Sequence, residues 1–219
     1  MSVTLGEEVM LLSLDDESGV AKDRASAGWA VTGGILLELA MRYRIQVTSG
    51  RVGITDTSPT GDGLLDERLR RLAEWVHRNR SGKVTDWLGK DQTTAVRETV
   101  RSLCARGLVV EERHRALGLF PVRRYPEADG TVERELRDRL ERVVLRGARP
   151  DDRTSALIAL LHGAGLHGIA FPGVPRKKTE PRMTTIAEGQ WAADSVRRAI
   201  RDMQATMAAV TAVTIITCT

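Results

Sequence analysis

Gly163, Gly165 and Gly168 fall at the spacing of a dinucleotide-binding fingerprint, whose glycines let backbone amides approach a pyrophosphate at the start of a helix. Pro172 and Pro175 stand where that helix would have to run, which argues against the site. Ser81-Gly82-Lys83-Val84 lacks the upstream glycine and the following Ser or Thr of a phosphate loop, and no Gly-x-Ser-x-Gly turn offers a serine nucleophile. His77, His114, His162 and His167 miss zinc-protease spacing, and His162, alone on an apolar helix, reads as a core or rim histidine. Cys104 and Cys218 are too few for a disulfide framework or a metal cluster. A non-enzymatic protein is expected, with no catalytic residue, metal or cofactor.

The basic side chains are more informative. In the segment 167–182, Ile169, Phe171 and Val174 are flanked by Pro172 and Pro175 and followed at once by Arg176, Lys177 and Lys178. With Arg182 and Glu180 the segment carries +3, the pattern of an apolar tip with a basic collar, suited to an anionic membrane. Three cations at about 1 kcal/mol each and a buried Phe at about 1.5–3 sum to about 5 kcal/mol, only millimolar-class binding. A headgroup pocket around Arg149 and Arg153, or several copies of the chain, must then add to it. In the alternative, Phe171 folds back onto the core and the lysines only solubilise. A rival reading takes 91–124, a helix followed by a hairpin with Arg113, Arg115, Arg123 and Arg124, as a winged-helix DNA-binding unit. That helix has no cluster of Asn, Gln and Arg for base edges.

The elements that must position these residues follow from apolar spacing. Gly33 to Arg44, GGILLELAMRYR, leaves hardly any polar side, so a helix from about Trp29 to Arg44 is expected at the centre of the fold, with Glu38 as its one odd carboxylate. A short helix over 6–14 precedes it. A small hairpin pairs 45–48 with 52–55 around Ser49-Gly50, and Asp62 caps a helix through Leu64, Leu65, Leu69, Leu72, Trp75 and Val76 whose Arg68, Arg70, Arg71 and Glu74 face reads as solvated. Then come a helix over 91–106, strands over 108–113 and 117–122, helices over 131–146 and 149–164, and a last helix over about 184–216. The expectation is a mainly α, single domain over 1–219, with buried central helices ringed by amphipathic helices and two small β-hairpins. At 219 residues, 42% hydrophobic and 28% charged, the chain is ordinary globular material, and a net charge of +4 with pI near 9.4 admits an anionic partner. The start has no secretory pattern and 205–216 is too short for a span, so a cytoplasmic location is expected.

Several stretches, LGEEVMLLSLDD, GGILLELAMRYRI, PTGDGLLDERL, the RGLVVEE to LGLFPV hairpin and SALIALLHGAG, together resemble the Golgi phosphoprotein 3 family of peripheral membrane proteins. The resemblance implies a mostly helical domain that binds phosphatidylinositol 4-phosphate, inserts an apolar loop and, in eukaryotic members, retains glycosyltransferases by their cytosolic tails. The family's lipid pocket takes a tryptophan, an arginine at the start of the central helix and two arginines three apart; these positions fall on Asp23, Thr32, Arg149 and Asp152. Arg149 matches, and Arg24, Trp29 and Arg153 lie beside the others. The resemblance thus implies a cytoplasmic, peripherally membrane-associated protein whose partners are anionic lipids, with cytosolic tails of membrane proteins and further copies of the chain as additional partners and nucleic acid not expected.

Overall fold

Thr4 opens the first helix with a reciprocal cap: its hydroxyl accepts from the Glu7 amide at 3.3 Å, and the Glu7 carboxylate accepts from the Thr4 amide at 2.7 Å. The computed structural model describes residues 3–14, 24–79, 82–116, 120–125, 128, 130–188 and 200–201. Within them α1 spans Leu5–Ser13, buried along its whole length, and α2 spans Arg24–Met41. The two cross in backbone contact. A Cβ on Gly34 would stand 2.9 Å from the Gly6 amide nitrogen, so only glycine lets the helices come this close. Ile35, Leu36, Leu37 and Leu39 of α2 are buried, as an all-apolar helix must be.

The hairpin β1 Ile45–Thr48 and β2 Arg51–Ile54 pairs antiparallel, Ile45 opposite Ile54 and Thr48 opposite Arg51. Asp62 caps α3, Gly63–Arg78, by accepting from the amides of Leu64 and Leu65. Helix α4, Val84–Ala105, begins seven residues before the expected start at 91, because buried Val84, Trp87 and Leu88 extend its apolar face. Trp87 meets Trp75 of α3 with ring centroids 5.3 Å apart. Arg68 corrects the solvated-face reading: it is 1% exposed, ion-paired with Asp91 and Glu98 of α4 and stacked 6.0 Å from the centre of the Trp87 ring.

Gly107, at φ 70°, turns the chain out of α4 while Leu108 donates back to the Leu103 carbonyl at 3.0 Å. That cap takes up residues expected in a strand, so the second hairpin sits later, β3 Glu112–Ala116 against β4 Phe120–Arg124. Then follow α5 Thr131–Val144, α6 Asp152–Gly163, the one-turn α7 His167–Ala170 and α8 Arg176–Ala187. The stretch after 167, expected as an apolar tip with a basic collar, thus holds two helices; of the expected last helix over 184–216, residues 184–187 fall in α8, which ends at Ala187, and 189–199 and 202–216 lie outside the described residues. Helices α1, α2 and α6 form the buried centre, with α4 against α1 and α2, α5 and α8 against α6, and the hairpins outside. The domain is mainly α with two small antiparallel hairpins.

Candidate functional site

Glu38 is the place to begin, because a carboxylate inside an apolar helix must be paired. Its oxygens accept from the Leu5 amide at 2.9 Å, from Arg42 Nε at 3.1 Å and from Arg153 Nη1 at 2.9 Å. Arg153 also donates from Nε to Glu8 at 3.0 Å and to the Val3 carbonyl, while Arg139 of α5 approaches the same Glu8 oxygen at 3.0 Å. Burial works against the Arg153 charge, but Glu8 and Glu38 outweigh it and hold the guanidinium above its ordinary pKa. Each nitrogen of Arg153 is therefore already engaged in joining α6 to α1, α2 and the residue before α1, which leaves a lipid phosphate only the second N–H of each terminal nitrogen.

The other expected headgroup residues do not gather around it. Trp29 lies half-buried in the first half of α2, on the turn where Gly28 meets Gln92 and Val96 of α4. Arg24 opens the same helix, and its side chain lies outside the described residues. At about 1.5 Å per residue, Trp29 stands about 14 Å and Arg24 about 21 Å along α2 from Glu38, the partner of Arg153. Only Arg149 remains as a solvent-facing cation near the start of α6, in the loop whose Asp151 caps that helix by accepting from the Thr154 amide at 2.6 Å.

The 167–182 segment also differs from its expected form. Ile169 and Phe171 are buried, Phe171 at 2% exposure, and Val174 is half-buried, so the apolar tip points into the protein. The cause is local. The turn of α7 is closed by the Phe171 amide on the His167 carbonyl at 2.9 Å, and Arg137 of α5 donates to the Ile169 carbonyl at 2.9 Å, which fixes the segment over the core. Burying one such ring is worth about 1.5–3 kcal/mol, enough to draw it in. The collar stays outside: Arg176, paired with Glu180, and Lys177 and Lys178 are exposed.

What the structure does assemble was not legible in the sequence. Arg182 of α8 donates to the Ala148 carbonyl at 3.2 Å and the Gly147 carbonyl at 3.5 Å, tying α8 to the loop between α5 and α6. Lys178, one turn before Arg182 on α8, is exposed, as are Arg142, Arg146 and Arg149 on the stretch that Arg182 grips, where Leu145 is 40% exposed. Next to this face a cleft of about 510 Å³ opens between α5 and the start of α1, lined by the basic Arg139, Arg142 and Arg153 and by the acidic Glu8, Glu135 and Asp138. Cations around one exposed leucine can bind phosphate groups without demanding one headgroup.

Among the described residues no group of three His, Cys, Asp or Glu side chains could hold a metal ion, and no helix is long and apolar enough to cross a membrane. In the 91–124 unit, α4 runs along α2 with Ala95, Thr99, Val100 and Leu103 buried, a strut of the core. The side chains of Arg113, Arg115, Arg123 and Arg124 lie outside the described residues.

The chain is 29% identical over 201 residues to vacuolar protein sorting-associated protein 74 of Eremothecium gossypii, an alignment covering 75% of this chain and 60% of that protein. The chain thus spans well under two thirds of that relative's length. The model of the Golgi phosphoprotein 3 family matches residues 5–203, from the reciprocal cap of α1 past the end of α8 and including the glycine crossing, the Asp62 cap and the start of α6. With so much of its length matched, the chain belongs to the Golgi phosphoprotein 3 family.

Proposed function

We propose that this chain is a non-enzymatic peripheral protein that docks on anionic membranes through the face formed by the α5–α6 loop and the start of α8. The observation that supports this most is the exposure of Arg142, Leu145, Arg146 and Arg149 on the stretch that Arg182 ties to α8, with Lys177 and Lys178 exposed one turn before Arg182. Each cation near an anionic surface is worth about 1 kcal/mol, so five give about 5, a dissociation constant on the order of 0.1–1 mM. Stable docking then takes either a phosphate seated in the adjoining cleft or a second copy bound alongside. Family membership makes a membrane surface the first partner to test, and the sorting function in the relative's name makes cytosolic tails of membrane proteins the second.

The lipid is selected by charge in this reading. Phosphatidylinositol 4-phosphate, which the family resemblance implies, would find Arg149. It would also find Thr32, fully buried with its hydroxyl donating to the Gly28 carbonyl at 2.9 Å, where the family pocket has an arginine. Flotation with phosphatidylserine vesicles is expected to fall steeply between about 0.05 and 0.5 M salt, as the Debye length shrinks from about 14 to about 4 Å. Phosphatidylinositol 4-phosphate at equal surface charge is expected to add no more than about threefold. Binding that ignores salt, or that needs the phosphoinositide, would contradict the reading.

A further inference from the structure

His162 near the end of α6 and His167 at the start of α7 are in direct contact, Nδ1 to Nε2 at 3.0 Å, with ring centroids 5.1 Å apart and planes nearly perpendicular. One assignment of protons satisfies these contacts with both rings neutral. The Thr184 hydroxyl of α8 donates to the Glu180 carbonyl at 2.8 Å, so it can only accept from His162 Nε2, 3.4 Å away. His162 Nδ1 is then bare and accepts from His167 Nε2–H. With both rings neutral the chain of donors runs from α7 through α6 to α8 without a conflict. Nδ1 of His167 is buried, with the Gly165 backbone as its nearby polar neighbour.

We propose that the His162–His167 contact is an acid-sensitive latch that keeps Ile169 and Phe171 in the core, and that its opening frees this apolar segment to enter the anionic membrane held by the neighbouring basic face. This rests on the membrane-docking reading above. A proton added to His162 Nδ1 places two N–H groups face to face at 3.0 Å and breaks the hydrogen bond that joins α6 to α7 side chain to side chain. The segment behind the latch is short. It is otherwise retained by the Arg137 bond to the Ile169 carbonyl and by burial of Ile169 and Phe171.

The surrounding charges leave the histidines as the sensor. From α8, Arg176 disfavours a proton on either ring, and Glu180 favours one but is held ionised by its hydrogen bond to Arg176. From α5, Arg137 is paired with Glu133, and on α1 Glu7 is bound by Arg106 while Glu8 is bound by Arg153 and Arg139. Burial is the largest influence and pushes both imidazoles below the ordinary histidine value. The closed form therefore binds fewer protons than the open one, so closure is undisturbed above about pH 6.5 and weakens as pH falls below it. Between about pH 6.5 and 5 the open form gains up to about thirtyfold for each histidine.

Amide hydrogen exchange on the full chain tests this in two arms. Ile169, Ala170 and Phe171 donate to the carbonyls of Leu166, Leu166 and His167. Their protection factors in solution are expected to fall at least about tenfold from pH 7.5 to 5, while those in α3 hold steady. His162→Asn, which keeps an acceptor where Nδ1 stands, and His167→Gln, which keeps a donor where Nε2 stands, should each remove most of that drop. In the second arm, phosphatidylserine–phosphatidylcholine vesicles at about 30% anionic lipid should restore protection to these amides at pH 5. A uniform loss of protection across the chain, or a drop that both variants retain, overturns the latch. Opening in solution with no reprotection on vesicles that the protein does bind overturns the insertion. Failure to bind vesicles at pH 7.5, with the acid drop intact, instead counts against the docking face.

Discussion

Arg149 and Arg153 stand one turn apart in sequence and have different parts. Arg153 neutralises two buried carboxylates, Glu8 and Glu38, so Arg153→Met leaves both without their shared partner. Glu8 keeps Arg139 and Glu38 keeps Arg42, so a loss of about 2–3 kcal/mol is expected, read as a fall in Tm of roughly 5–10 °C. Arg149→Gln, at an exposed loop position, should stay within about 0.5 kcal/mol of the parent and change membrane binding instead. Equal melting of the two variants would contradict the division. Tyr43 makes the opposite case. It holds a left-handed φ of 57° at 66% exposure, where Arg44 folds back onto the Leu39 carbonyl at 2.9 Å to close α2. A residue with a Cβ is strained there, so Tyr43→Gly should raise stability by about 1 kcal/mol, a Tm gain of roughly 2–4 °C by calorimetry.

At the scale of elements, what could be read from the sequence was whatever is decided locally. GGILLELAM has no polar face, Asp62 sits one residue before an apolar repeat, and Ser49-Gly50 separates two alternating runs; α2, α3 and the first hairpin follow from these alone. What could not be read depends on partners distant in sequence. Arg68 looks like any cation on a charged helix until α4 brings Asp91 and Glu98 to it, and Phe171 looks like a tip until α7 turns it inward. Nothing in the order of residues says that Arg182 will join α8 to the 147–148 carbonyls, and on that bond the proposed docking face depends. The α1–α2 crossing is the element-scale prediction. Gly34→Ala puts a Cβ 2.9 Å from the Gly6 nitrogen and 3.0 Å from the Leu5 carbonyl carbon, both backbone, so neither can swing aside. A cost of about 1–3 kcal/mol is expected by urea unfolding, against about 0 for Gly63→Ala, where a Cβ meets nothing. Comparable midpoints for the two would show that the helices are not in backbone contact.

For the whole molecule, a net charge of +4 on 219 residues would not hold a protein to a membrane, and what matters is where the cations lie. Many arginines are consumed internally: Arg68 by Asp91 and Glu98, Arg106 by Glu7, and Arg153 by Glu8 and Glu38. Arg142, Arg146 and Arg149 near the α5–α6 loop and Lys177 and Lys178 at the start of α8 are exposed instead, Arg146 beside Glu141, and with Leu145 they supply the side proposed to meet a charged interface. The most direct measurement is flotation of an Arg146→Gln, Arg149→Gln, Lys178→Gln triple variant beside the parent on anionic vesicles at about 0.1 M salt, with the melting temperatures of both recorded. Docking through these cations entails equal melting and a loss of membrane affinity of roughly 30- to 100-fold, about 2–3 kcal/mol for three cations. A triple variant that melts like the parent and floats as well as it does would contradict the account.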